Sequence, residues 1–297
     1  MTVVIMNMYK IIGNAKELTN EQWKALRVIG GSTVGAIMGF SYYDSPYTVW
    51  ERLTNNEESE DIDNKHIRFG NLIEPVLREW FREEIRLEYG NEVEVLENDE
   101  VMQSTLYPYL TGNIDGDIIL PELGKGVVEI KTAGANAKAF RDDEIPDNYY
   151  CQIQYYMWLT DRQYGYMVWL KDKELGYQFI ERNDMFIDNM IETVREFWEE
   201  YVVNEIPPPF SGVESEEEII KSKYGVSDPS KVITMPELET TLEALLSIKE
   251  EIKGLEQSKT ALENQIKFVM GDAEICIIGD RQVTWKTSKN GRRMFKA

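Results

Sequence analysis

Histidine occurs once and cysteine twice in this chain of 297 residues. His66 alone cannot assemble a zinc cluster or a histidine-based catalytic centre, and it reads as a solvent-facing helix residue. Cys151 and Cys276 stand far apart without metal-site partners. That argues against a disulfide scaffold or an iron–sulfur cluster and points to a reducing, cytoplasmic setting. No apolar run approaches the ~20 residues that a helix needs to cross a bilayer. The first residues lack the basic flank and cleavage pattern of a secretory signal, so no leader is expected. Positive charge is scarce too: 32 Lys and Arg face 53 Asp and Glu, a net charge of -21. Such a balance disfavours a polyanionic partner unless the acid is segregated. It is segregated, into 57–63, Glu83-Glu84 and Glu216-Glu217-Glu218, while the last seventeen residues hold Arg281, Lys286, Lys289, Arg292, Arg293 and Lys296 without an acid. A locally positive path on an acidic particle is therefore physically open.

What is present is a globular composition, 42% apolar with 7 Trp and 16 Tyr, enough for one large domain and an appendage. Helices are expected from Thr19, with Gln22 completing a cap, from Ser32 as a cap to Gly39, over 46–53, and over 65–89 with Ile73, Leu77, Trp80, Phe81 and Ile85 as its apolar stripe. Strands are expected at 92–97, 114–120 and 126–131. A helix over 149–159, strands at 164–170 and 175–180, and a helix over 184–203 follow, closed by Pro207-Pro208-Pro209. This order describes an α/β domain, a mixed central sheet flanked by helices, over 1–210. The appendage, 211–297, carries one long helix at about 235–270 and a hairpin turning at Gly279-Asp280. Leucine and isoleucine recur along that helix at three- and four-residue steps, interrupted at Gly254 and Ser258. Packing of the helix against its own chain is expected over a coiled-coil dimer.

The chemistry concentrates in Gly112-Asn113-Ile114-Asp115-Gly116-Asp117 and Val127-Val128-Glu129-Ile130-Lys131. Period 2 places Glu129 and Lys131 on one face of their strand and Val128 and Ile130 on the other. A carboxylate in an apolar strand is costly unless a metal or a cation compensates it. Two acids and a lysine at the mouth of a sheet are the parts of a magnesium-dependent phosphodiesterase; the plainer reading is an edge-strand Glu and an Asx turn at Asp115. Asp117 competes with Asp115 as the ligand. Glu74, before Pro75 on the long helix, is either an acid near the site or a solvated first-turn residue. Gln152 and Tyr156 share a helical face and would hydrogen-bond a ligand, a phosphate or water; the plainer reading is a buried polar network in an aromatic-rich helix.

Taken in order, Gly30-Gly31-Ser32 with Gly39, Phe69-Gly70 through Glu74, Asp115-Gly116, Glu129-Ile130-Lys131, and Gln152-Ile153-Gln154-Tyr155 with Trp158 and Thr160 resemble the lambda-exonuclease-like, YqaJ-type viral recombinase nucleases. These belong to the restriction-endonuclease-like PD-(D/E)XK superfamily, and the resemblance spans about residues 23–170. It implies a restriction-endonuclease-like core. It also implies metal held by Asp115, Glu129 and the main-chain carbonyl at Ile130. Lys131 becomes the catalytic lysine, with Glu74 and Gln152 beside it, and Ser32 and Arg27 lie near a terminal 5′-phosphate. The implied activity is Mg²⁺-dependent, with Mn²⁺ as a substitute: 5′-to-3′ digestion of one strand of linear duplex DNA, leaving 3′ tails for an annealing protein in phage or prophage recombination. Ring-shaped homotrimers are also implied. An endonuclease on the same core and a non-catalytic DNA-binding protein are the alternatives. The appendage is expected to present its basic hairpin near the duplex path or the annealing partner, with Trp285 anchoring the hairpin to the main body.

Overall fold

The computed structural model describes residues 8–26, 28–55, 65–135 and 137–297, so Arg27 and the acidic run at 57–63 lie outside them. Two compact units divide the chain, one running through Gly225 and the other comprising Val226–Ala297. In the first, β1 (Tyr9–Asn14) leads to α1 (Asn20–Leu26), α2 (Gly31–Ile37), α3 (Pro46–Thr54) and the long α4 (Lys65–Tyr89). Then come β2 (Glu94–Glu97), β3 (Glu100–Ser104), β4 (Thr111–Gly112), β5 (Gly116–Leu120) and β6 (Gly124–Ala133). The unit continues with α5 (Asp147–Thr160), β7 (Tyr164–Lys171), β8 (Glu174–Glu181), α6 (Asp184–Glu196) and α7 (Glu214–Lys223).

Capping chemistry sets several of these boundaries. Thr19 and Gln22 exchange side-chain and main-chain hydrogen bonds across the first turn of α1. Ser45 and Thr48 do the same at α3, where Pro46 occupies the first helical position. At α2 the sequence pattern misleads. Gly30, not Ser32, stands at the N-cap, and Ser32 lies exposed in the first turn. The cause is packing: a Cβ at Gly31 would sit 2.7 Å from the Tyr156 ring, so Gly31 lets α2 approach α5 closely.

The central sheet has the order β2-β5-β6-β7-β8 and is antiparallel except for the parallel pair β6 and β7. That pair requires a crossover, and α5 supplies it. Two apolar layers follow from the alternation of β6. Val127 faces α5 with Met167 and Trp169, whereas Val128 and Ile130 face α4 with Leu77, Phe81 and Ile85. Glu129 and Lys131 therefore project toward the α5 side, as period 2 predicts.

A second sheet, β1-β3-β4, was not expected from the sequence. Its strands are short and β4 has two residues, too few for periodicity to register. The Tyr155 hydroxyl donates to the Thr111 carbonyl at 2.8 Å and ties this sheet to α5. The helix expected over 184–203 changes pitch at Phe197, where a π-helical turn runs to Val202. The unit also extends past the triple proline. In α7, Lys223 pairs with Glu51 of α3 at 2.5 Å, and Glu216 accepts from the main-chain N–H groups of Ser211 and Gly212. The boundary consequently falls after Gly225, not at residue 210.

The second unit contains α8 (Glu239–Met270) followed by β9 (Ile275–Ile278), β10 (Arg281–Thr287) and β11 (Arg293–Lys296). The expected hairpin is thus a three-stranded antiparallel sheet. Trp285 packs inside it, under the guanidinium of Arg293 at 3.7 Å from the ring centroid. Arg293 also donates to the carbonyls of Gly271, Ala273 and Trp285. Among the described residues, no helix is long and apolar enough to cross a membrane.

Candidate active site

The site forms where β5 begins and β6 passes beneath α5. Gly116 pairs with Val128 in the antiparallel register, so the preceding residue, Asp115, comes opposite Glu129. Asp115 is clamped there by its own carboxylate, whose Oδ2 accepts the Ile130 main-chain N–H at 2.7 Å. Gly116 permits the approach, since a Cβ on it would meet the Leu96 carbonyl at 2.7 Å.

Glu129 is 1% exposed. Its Oε1 accepts from Lys131 Nζ at 2.5 Å and from Gln152 Nε2 at 2.6 Å, while its Oε2 is buried with no hydrogen-bond partner. A buried carboxylate oxygen without a donor is expensive and calls for a functional reason. Gln152 lies within 3.5 Å of the Tyr156 hydroxyl, so the shared face predicted for these residues exists. Tyr156 itself is buried, its ring packed against Gly31 and Gly112. The neighbouring Gln154 is a structural tie, bonded to the Glu181 carbonyl and the Asn183 N–H.

Glu74 reaches the same end of the sheet from α4, on the opposite layer. It is ion-paired with Arg78, a residue the sequence reading passed over. The Arg78 guanidinium also donates to the Asp115 carbonyl at 3.0 Å and pairs with Glu97 at 3.2 Å. One buried cation thus fixes the turn carrying Asp115 to the helix carrying Glu74. Its spacing of four from Glu74 was the available signal.

Asp117, left open as the rival ligand, belongs elsewhere. It is 5% exposed and is held by Arg162 at 2.6 Å, Lys125 at 3.2 Å and the Asn98 amide. Ser32 stands exposed at the start of α2, on the element that packs against Tyr156. His66 is exposed and lines a cleft of about 1030 Å³ that begins at Thr132, next to Lys131. Tyr42, Tyr43 and Phe69 line this cleft as well, with Lys138 and Arg141 set against Asp142, Glu144, Asp147 and Asp172.

Burial pushes the Glu129 carboxyl up to about 8, helped by the charge of Asp115 and opposed by Lys131. Glu74 is raised to about 7, by burial first and by Asp115 second, against the pull of Arg78. For Lys131, burial works against the charged form, but Glu129 and Asp115 outweigh it and hold the ammonium above its ordinary range. Both glutamates bind a proton more tightly folded than unfolded. The stability they contribute is complete below the unfolded value near 4.5 and is lost as pH rises through about 7 and about 8. Thermal melting in a chelator should therefore show a midpoint that falls from about pH 5 to about pH 8. Glu129→Gln should flatten that slope, and a midpoint that rises over the same window would contradict the burial assigned here.

Residues 21–163 match the family model of the YqaJ-like viral recombinase domain. Over 290 residues the chain is 28% identical to the uncharacterized protein YqaJ of Bacillus subtilis (strain 168), covering 95% of this chain and 88% of that protein. Among solved structures, it is similar to an alkaline exonuclease (LHK-Exo) from Laribacter hongkongensis, with a TM-score of 0.48 and 20% identity over 69% of this chain and 98% of the other. A phage-related exonuclease from Haemophilus somnus 129PT gives 0.42 and 15%, over 60% and 96%. Glu74, Asp115, Glu129, Lys131 and Gln152 all fall inside the segment that matches this family model.

Proposed function

We propose that this protein is a divalent-metal-dependent deoxyribonuclease. In this reading it digests one strand of linear duplex DNA from the 5′ end, leaving 3′ tails for an annealing partner. The observation that carries the reading is the buried Glu129 carboxylate, with one oxygen unpartnered and Asp115 opposite it. Among the described residues, no three His, Cys, Asp and Glu side chains gather at metal-holding spacing. A donor set of two carboxylates, Asp115 and Glu129, completed by the main-chain carbonyl of Ile130 and by water fits that arrangement. Hard oxygen donors suit Mg²⁺, with Mn²⁺ as a substitute. An ion held there supplies a water of lowered pKa and positive charge beside the phosphate.

The chain's own groups do the rest. Gln152 and Lys131 fix one Glu129 oxygen and so aim the other. Because Lys131 stays charged, it counters phosphate charge and orients the attacking water rather than taking its proton. Water adds to phosphorus as the bond to the 3′-oxygen breaks, giving a 5′-phosphate and a 3′-hydroxyl. The exposed rings of Tyr42, Tyr43 and Phe69 in the adjoining cleft suit stacking of bases, which compensates for its mixed charge.

Three substrates test the proposal: 5′-phosphorylated linear duplex, linear duplex labelled at the 3′ end, and covalently closed circular duplex. Mg²⁺-dependent release from the 5′ end of the linear forms, with the circle intact, is the expected result. Nicking of the circle would identify an endonuclease. Binding of ends without nucleotide release would identify a non-catalytic binder.

In the second unit, Arg293 is committed to Trp285 and to three carbonyls, so the cations of the terminal segment available to phosphate are Arg281, Lys286, Lys289, Arg292 and Lys296. Replacing these five by glutamine should weaken duplex binding on the order of tenfold or more at low salt. The loss should shrink as salt rises, with hydrolysis at saturating DNA little changed. Equal affinities at two salt concentrations would leave this surface without a role in DNA binding.

A further inference from the structure

Within its unit, α8 leaves a row of large apolar side chains in water: Leu245, Ile248, Ile252, Leu255 and Leu262 are 46% to 70% exposed. The following sheet reaches only the last turns, where Met270 is buried and Lys267 lies over Phe295. A 32-residue helix, about 48 Å long at ~1.5 Å per residue, does not keep such a stripe wet without a partner. The row follows a strict heptad. Leu238, Leu245, Ile252, Lys259 and Ile266 occupy the first seam position; Thr241, Ile248, Leu255, Leu262 and Val269 occupy the second. Gly254 and Ser258 fall outside the seam, so they do not interrupt it as expected from the sequence; the polar breaks are Thr241 and Lys259.

We propose that α8 pairs with α8 of a second copy of this chain as a symmetric antiparallel coiled coil centred between Lys253 and Gly254. Charge selects this arrangement. In a parallel pair, Lys259 would face Lys259 of the partner subunit, and Glu251 would lie beside Glu256 of the partner subunit; both contacts repel. In the antiparallel pair, each Lys259 instead packs beside Ile248 of the partner subunit, its stem along the seam and its ammonium in water. Lys249 meets Glu256 of the partner subunit, twice by symmetry.

Register is selected by the same pattern. Centred at 253/254, Ile252 stacks on the partner's Leu255, Leu245 on the partner's Leu262 and Leu238 on the partner's Val269, so the whole helix overlaps. A shift of one heptad in one direction brings Glu256 against the partner's Glu256. A shift in the other brings Lys249 against the partner's Lys249, and either shift loses a heptad of overlap. The single lysine in the seam thus disfavours the parallel pair, whereas Lys249 and Glu256 select the register. This inference does not depend on the nuclease reading.

Light scattering and sedimentation equilibrium on the full chain test it, with helicity checked by circular dichroism. Leu255→Asp should halve the particle mass at micromolar concentration. Glu256→Lys should weaken association roughly tenfold by setting lysine against lysine, and Lys249→Glu combined with Glu256→Lys should restore it. A parallel pair behaves oppositely, because Glu256→Lys relieves its Glu251 contact and tightens it. A tighter Glu256→Lys assembly, or a particle mass unmoved by Leu255→Asp, would overturn the proposal.

Discussion

Glu129→Gln should lower nucleotide release from a linear duplex on the order of 10³-fold, while the melting temperature of the metal-free protein stays at or above that of the parent. The two effects have one cause. Glutamine keeps the volume and an acceptor for Lys131 Nζ and Gln152 Nε2, so the packing under α5 survives. What disappears is a buried anion whose charged form is disfavoured, its carboxyl pushed up to about 8. Folding no longer carries that cost, and the site no longer offers a second charged oxygen donor to a cation. Steady-state digestion of 5′-labelled duplex and thermal melting in a chelator measure both sides. Turnover within tenfold of the parent would remove Glu129 from the chemistry. A melting temperature far below the parent's would make it a structural acid.

Lys131→Met separates charge from packing at the same place. The ammonium lies 2.5 Å from Glu129 Oε1 and 5.4 Å from the Tyr149 ring centroid, so the stem is already lodged among side chains. Methionine retains that stem. Loss of the cation should raise the Glu129 carboxyl further and weaken metal binding at neutral pH, so part of the activity should return at higher pH and higher Mg²⁺. Recovery of that kind would assign Lys131 to electrostatics, and a flat loss at all conditions would assign it to the transition state.

How much of this was legible in the sequence depends on the range of the interaction concerned. The alternation of β6 is local, and on its own it places Glu129 and Lys131 on one face and Val128 and Ile130 on the other, as in the fold. The 25-residue stripe of α4 and the reciprocal cap at Thr19 are local too, and both are present as predicted. Asp115 and Asp117 could not be separated, because that choice depends on register with β6 and on Arg162, forty-five positions downstream of Asp117. The strands β1, β3 and β4 escaped notice for the same reason. They are held by pairing with distant chain and by Tyr155, not by a pattern of their own. At α2, the rule that prefers serine as a cap yielded to the close approach of Tyr156 to Gly31.

The separation of the two aspartates yields the second large effect. Arg162 and Asp117 form a buried ion pair, each side chain 7% exposed, and Arg162 also donates to the Gly126 carbonyl at 2.9 Å. Arg162→Ala removes the main partner of a buried carboxylate, leaving it to the half-exposed Lys125 and the Asn98 amide. Breaking a buried pair from one side costs about 3–5 kcal/mol, which corresponds to a melting temperature lower by roughly 10 °C in a unit of this size. Replacing both members by apolar residues of similar volume, Arg162→Met with Asp117→Leu, takes away the unpaired charge along with the pair and should recover most of that loss. The double variant also decides the ligand question. With Asp117 confined to the ion pair between β5 and the α5–β7 connection and Asp115 facing Glu129, turnover per folded molecule should remain within about threefold of the parent, since the Asp117 carboxylate is engaged by Arg162, Lys125 and Asn98 rather than by the site. A double variant that melts like the parent yet fails to cut DNA would move Asp117 into the site and displace Asp115 from the role given to it here.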